Sequence, residues 1–277
     1  MLRMNEIESG YIYHYESPIM SHGSLGHIMG TRFDILIMDK SREETESIWK
    51  RIVDELMRLN KMLNRFDPES EVANVNRNAW IHPVKIDDEL WSILLDCRKY
   101  YHKTCGMFDI TLRDFSALAL SPLNKNVSFK QKGLYIDLGG YAKGYTLKRL
   151  LEILHSYHVD NAFIDFGNSA IYGLGHHPYG DSWKVSISNP YLKGVSVGEF
   201  KLTNTALSTS GNTPDYCGHI VNPHSGEKKR GEIIICIESD DPLEAEVLST
   251  TMMASDHLQR EYIINKFKSI KMKEFNL

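Results

Sequence analysis

The sequence is poor in the features that several protein classes need. Its 277 residues hold only four cysteines, Cys97, Cys105, Cys217 and Cys236. No CxxC pair occurs, which argues against a zinc site, and nothing asks for a disulfide framework. Cys97 and Cys236 stand in apolar runs and read as small core residues. No apolar run reaches the ~20 residues of a membrane-spanning helix. The net charge is −4 and no basic block stands out, so nucleic acid is not expected as a partner. The Lys-rich stretch from Lys266 to Lys273 is broken by Phe267, Ile270 and Met272, and reads as an amphipathic surface element. The N-terminus, MLRMNEIESGYIYHYESP, has early acids and no apolar core, so no signal peptide is expected. The expected compartment is the cytoplasm, or the periplasm if a leader has been removed. Neither a GxGxxG run nor a Walker loop is present, and the usual dinucleotide and NTPase folds are not indicated.

What is present is an ordinary globular balance of 42% hydrophobic and 25% charged residues. Thr31 to Met38 reads as a strand. Ser41 and Glu44 form a capping box, behind which Ile48, Ile52, Leu56 and Leu59 share a helical face. Helices are expected over Asp87 to Tyr101, Ala142 to Leu154 and Glu244 to Met253, with another from Gln259. Strands are expected at Leu134 to Leu138, Ala162 to Phe166, Trp183 to Ser188, Glu199 to Thr203, His219 to Asn222 and Glu232 to Glu238. No repeat or linker divides the chain. The expectation is one α+β unit over residues 1–277, with mixed β-sheets, flanking helices and two lobes.

Three segments carry chemistry. In YIDLGGYAKGY, from Tyr135 to Tyr145, a Gly-Gly turn leads into a helix near Lys143. Glycines allow close backbone approach, the first helical turn offers free N–H groups, and the lysine adds a cation, which together suit a pyrophosphate. The bland alternative is a strand–helix turn with a surface lysine. In LSTSGNTPDYCGHIVNPHSG, from Leu207 to Gly226, His219 stands beyond a run of hydroxyl residues and could carry a proton. A lone histidine is more often structural. In AEVLSTT, Glu246 and Thr250 share a helical face and offer two hard oxygens to Mg²⁺. Alone, a surface Glu and a satisfied Thr explain that segment as well.

In their order along the chain, these segments resemble the ApbE family of FAD:protein FMN transferases. The matching pieces are Met29-Gly30-Thr31, Asn64 to Asn76, Gly106 to Thr111, Asp137 to Tyr145, Phe166-Gly167, Trp183 to Pro190, Ser208 to Gly211, His219 to Gly226 and Glu246 to Thr250. The resemblance implies a T-fold-like unit that binds FAD with Mg²⁺ at its pyrophosphate. It implies transfer of FMN to a Ser or Thr hydroxyl of an acceptor protein, with AMP released. By position, Asp137 and Lys143 match FAD-site residues, and Gly140, Glu246 and Thr250 match metal ligands. Met29, Phe66, Met107, Phe108, Asp109 and Ile220 match the flavin or adenine pocket, and His219 matches the catalytic histidine. This chain departs from the family's usual pattern in having Glu246 for Asp, Phe66 for Tyr, Asn168 for a second Gly after Gly167, and Lys148 for Asp. Metal-dependent FAD hydrolysis and flavin binding without catalysis are the alternatives.

Overall fold

The computed structural model describes residues 8–215 and 217–277, and the sequence reading of the first seven residues lies outside it. Thirteen strands and six helices follow in the order β1 (Ser9–His14), β2 (Met20–Ile28), β3 (Thr31–Met38), α1 (Arg42–Leu63), α2 (Glu71–Asn78), β4 (Val84–Lys85), α3 (Asp88–Lys103), β5 (Leu118–Ser121), β6 (Asn126–Phe129), α4 (Ala142–Ser156), β7 (Ala162–Phe166), β8 (Ala170–Leu174), β9 (Trp183–Ser188), β10 (Ser196–Leu202), β11 (Thr205–Gly211), β12 (Ile233–Ser239), α5 (Pro242–Ala254), α6 (His257–Ile264) and β13 (Lys271–Asn276) among the described residues.

Local chemistry sets the helix starts. Ser41 accepts from the Glu44 N–H while the Glu44 carboxylate reaches back to the Ser41 N–H, forming the expected capping box. Ser70, Asp87 and Asp241 cap α2, α3 and α5 by accepting from the N–H groups of Ala73, Leu90 and Leu243, without the reciprocal bond. Ile48, Ile52, Leu56 and Leu59 are all buried along α1, as their spacing requires.

Eight strands form the main sheet in the order β1-β2-β3-β7-β8-β11-β12-β13, and β9 and β10 form a separate two-stranded ribbon. Every pairing among the described strands is antiparallel. Alternation along each strand gives the main sheet two apolar faces. One, with Phe33, Ile35, Ile164, Ile235 and Ile237, joins the core made by the helices. The other, with Ile171, Leu207, Ile234 and Cys236, is covered by Trp183, Val185, Ile187, Phe200 and Leu202 of the ribbon. The architecture is α+β, with helices and a β-ribbon on opposite faces of one sheet.

Two expected strands are corrected. Leu134 to Leu138 joins no ladder, because the Asn76 side chain takes the place of a neighbouring strand. Asn76 Oδ1 accepts from the Ile136 N–H and its Nδ2 donates to the Ile136 carbonyl, at 2.7 and 2.9 Å. His219 to Asn222 belongs to a loop instead of a strand, and within it Val221 makes an isolated bridge to Lys228. The Lys-rich tail is also more ordered than its composition suggests, since Lys271 to Asn276 forms β13 at the sheet edge with Met272 against the core.

Candidate functional site

At the end of the main sheet where β3 begins and β7 and β11 finish, a cavity of about 1120 Å³ opens. Met29, Phe66, Met107, Phe108, Asp109, Asp137, Gly140, Lys143, His219, Ile220, Glu246 and Thr250 all line it. Twelve residues spread over more than 200 positions of sequence thus meet at one place.

The wall formed by β11, α4 and α5 is tightly built. Glu246 is 3% exposed. Its Oε1 lies 3.0 Å from Lys143 Nζ and its Oε2 accepts from Ser208 Oγ at 2.7 Å. A chain of hydroxyls continues from Ser208 to Ser249 at 2.9 Å, from Ser249 to Ser210 at 2.9 Å, and from Ser210 to Thr250 at 3.5 Å. A carboxylate removed from water needs such partners, and here a cation and a hydroxyl supply them. Two glycines permit the close fit. A Cβ on Gly144 would stand 2.7 Å from both Glu246 Cβ and the Pro242 carbonyl, so only glycine lets α4 pack this closely on α5. A Cβ on Gly140 would lie 3.0 Å from Thr250 Oγ1, which brings the Gly140 backbone against that hydroxyl. No side chain caps α4 at Tyr141. The Ala142 N–H is taken by the Leu138 carbonyl at 2.8 Å, while Gly140 and Lys143 at this helix start line the cavity.

The opposite rim is looser. Asp137 Oδ1 accepts from the Gly139 N–H at 2.8 Å, bracing the glycine turn, and its Oδ2 lies 2.9 Å from Arg65 Nε. That Nε has ion-pair proximity but makes no hydrogen bond. The guanidinium stacks over Phe66 at 4.1 Å and stands 5.3 Å from the Tyr135 ring centre. Phe66 is 72% exposed, and His219 is exposed as well. Ile220 is buried and its carbonyl accepts from the Lys229 N–H at 2.8 Å, which ties the histidine loop to the body.

Asp109 is used by its own loop. Its carboxylate accepts from the Thr111 N–H and hydroxyl, both at 2.7 Å, and from the Phe115 N–H at 3.1 Å. Burial raises its carboxyl above the usual range. The side chain shapes the Met107–Ile110 turn that lines the cavity. At the β3 end, Gly167 has φ +57, and a Cβ there would sit 1.8 Å from Thr31 Oγ1, so the turn after β7 requires glycine.

Sequence reasoning did not single out Arg65, Asp165, Lys184 or Ser186, all of which line the cavity. Arg65 stands in a polar loop, where one arginine carries no signal of its own. Asp165 alternates within a strand, and only the fold shows Arg32 Nη2 donating to it at 3.1 Å and the Asn168 N–H at 2.7 Å.

The ApbE family model matches residues 29–122 and 112–272. The chain belongs to the ApbE family. A relative from Chlamydia muridarum, an FAD:protein FMN transferase, is 26% identical over 214 residues, which cover 67% of this chain and 63% of the relative, less than two thirds of its length. An FAD:protein FMN transferase from Klebsiella pneumoniae is 22% identical over 254 residues, covering 78% of each chain. The flavin transferase ApbE from Vibrio cholerae superposes with a TM-score of 0.78 over 97% of both chains at 17% identity, which shows that the ApbE fold is shared. No described helix is long and apolar enough to cross a membrane.

Proposed function

We propose that this ApbE-family chain is an FAD:protein FMN transferase that moves FMN from FAD to a Ser or Thr hydroxyl of an acceptor protein. The observation that carries the reading is the Lys143–Glu246 pair beneath the uncapped start of α4, with Thr250 adjacent, in the same cavity as His219. The helix N-terminus and Lys143 suit the negative charge of a pyrophosphate, and the apolar lining from Met29, Met107, Phe108 and Ile220 suits aromatic rings.

The donor set also fits Mg²⁺. Glu246 and Thr250 are hard oxygen ligands, the Gly140 backbone lies against Thr250, and Mg²⁺ is commonly held by one or two carboxylates together with substrate phosphates. Glu246, Thr250 and the Gly140 carbonyl would hold the ion. When bound, Mg²⁺ supplies charge neutralisation at the pyrophosphate oxygens.

In the reaction, the acceptor hydroxyl oxygen attacks the FMN phosphorus. A new P–O bond forms, the bond to the bridging oxygen breaks, and AMP leaves with that electron pair. His219 accepts the hydroxyl proton, a role worth ~10²–10⁴-fold. Lys143 balances charge on the transferring phosphoryl group, and the rigid wall supplies in-line placement.

The test is incubation with FAD, Mg²⁺ and candidate acceptor proteins from the same cell. AMP together with a covalently fluorescent acceptor is the expected outcome. AMP and free FMN without labelled protein would replace transfer by hydrolysis, and neither product would leave a flavin-binding protein.

A further inference from the structure

Strand β9 has only one partner. It pairs with β10 and with no other described strand, so its second edge is open. That edge faces the cavity. Five consecutive residues, Lys184 to Ser188, line the cavity, including the inward Val185 and Ile187, while β10 contributes none. Side chains on one face of a strand alternate, so contact with an unbroken run places the cavity along the strand's edge. The Asn189 N–H donates to the Val195 carbonyl across the ribbon at 2.8 Å. Stepping back by two, the backbone groups of Ile187 and Val185 address β10, and those of Ser188, Ser186 and Lys184 lie along the open edge. Beneath it, Phe163, Ile171 and Ile234 of the main sheet form an apolar floor to the same cavity.

The charge on this edge is unbalanced. Lys184 stands directly opposite Lys201 in the β9–β10 register. Neither lysine makes an ion pair among the described residues, which hold seventeen such bridges elsewhere. Like charges directly opposite across a ribbon are destabilising, and an anionic partner relieves that cost.

We infer that the open edge of β9 receives the acceptor protein, as an extended acidic segment that adds a strand to the ribbon and carries its hydroxyl into the cavity. This rests on the transferase reading. Main-chain pairing supplies affinity and leaves the segment's alternate side chains for the apolar floor and the reacting phosphate. Lys184, on the edge strand itself, selects for aspartate or glutamate beside the target residue.

The test uses the full chain with FAD and two synthetic peptides, each with one central threonine, flanked by aspartates in one and by lysines in the other. Hydrogen exchange at residues 184–188 should slow at least tenfold with the aspartate peptide and remain unchanged with the lysine peptide. Ser186→Pro removes an outward N–H and should abolish aspartate-peptide binding by the FAD-loaded protein. Lys184→Glu should reverse the peptide preference, and it keeps the test decisive if the proline variant fails to fold. FAD alone protecting residues 184–188 would assign the edge to the dinucleotide and overturn the inference, as would no peptide-dependent protection. Peptide protection without AMP release under any condition would instead sink the transferase reading and leave the docking edge standing.

Discussion

The two sides of the cavity are built differently. On the α5 side, Glu246, Ser208 and Ser249 are buried and every one has a partner, from the Lys143 ammonium to the hydroxyl chain ending at Thr250. On the rim, Phe66 and His219 are exposed, and Arg65 rests on an aromatic face. The packed side holds donors in fixed positions before substrate arrives, which is what charge stabilisation in a transition state requires. The open side leaves room for a macromolecular acceptor. If this division is correct, substitutions on the rim should alter turnover or ligand affinity with little effect on folding, while those on the wall should alter both.

The largest expected effect is on the rim. His219→Ala should lower the rate of acceptor-dependent AMP release by ~10²–10⁴-fold while melting temperature and FAD affinity stay near wild type. Measuring all three on one preparation checks it. A well-folded variant with normal turnover would remove His219 from the reaction and break the division.

Next comes the wall. Glu246→Gln keeps the shape and removes the charge that Lys143 faces at 3.0 Å. Turnover should drop by ~10²–10³-fold, as when one preorganised electrostatic partner is lost. Melting temperature should fall too, because a partly buried ammonium loses its counter-charge. Glu246→Asp should retain or raise activity, since the carboxylate survives and aspartate is the family's usual residue here. Activity of the Gln variant that persists undiminished with a chelator present would end both the metal assignment and the wall's electrostatic role.

Arg65 tests a smaller term. Arg65→Ala removes a cation and frees Asp137 Oδ2, leaving the Gly139 turn braced only through Oδ1. FAD affinity should weaken about tenfold, the equivalent of ~1.4 kcal/mol, with riboflavin affinity nearly unchanged. Equal losses for both ligands would mean that Arg65 acts through Phe66 stacking instead of through charge.

These contrasts also explain what could be read from the sequence. The wall's segments stood out as short local patterns, a Gly-Gly turn before Lys143 and Glu246 four residues before Thr250, but the bland readings explained each of them alone, and it was the resemblance to the ApbE family that assigned them to one site. The α+β class and the α1 face were legible from the residues themselves, since helical spacing is local. The β9 edge was not, because its meaning depends on which strand is missing beside it, and only topology shows that. Leu134 to Leu138 misled because its apolar run resembles a strand, while its actual partner is the side chain of Asn76, sixty residues earlier. Arg65 carries no pattern at all until the chain brings it against Asp137.

The smallest effect concerns Asp109, which looks like a wall residue by burial and stands at the pocket by position. Burial is the leading cause of its raised carboxyl pKa, opposed by the hydrogen bonds from Thr111 and Phe115, while Asp114 adds like charge. A carboxyl whose pKa is higher folded than unfolded binds more protons in the native state between those two values. Stability therefore falls as pH rises from the ordinary carboxylate range, near 3.9, through the raised folded value. Above that window the cost of the buried charge is constant. Asp109→Asn removes this titration, so the difference in unfolding free energy between variant and wild type should change with pH inside the window and level off above it. The asparagine also loses acceptor capacity toward the Thr111 hydroxyl and the two N–H groups, and that offset should be present at every pH. Denaturant unfolding of both proteins from pH 4 to 8 separates the two effects, because only the titration bends the difference. If the difference is flat throughout, Asp109 is held by its hydrogen bonds as a permanently charged loop staple. A bend accompanied by unchanged FAD affinity would show that its work is to shape the Met107–Ile110 turn and that FAD binding does not use the carboxylate.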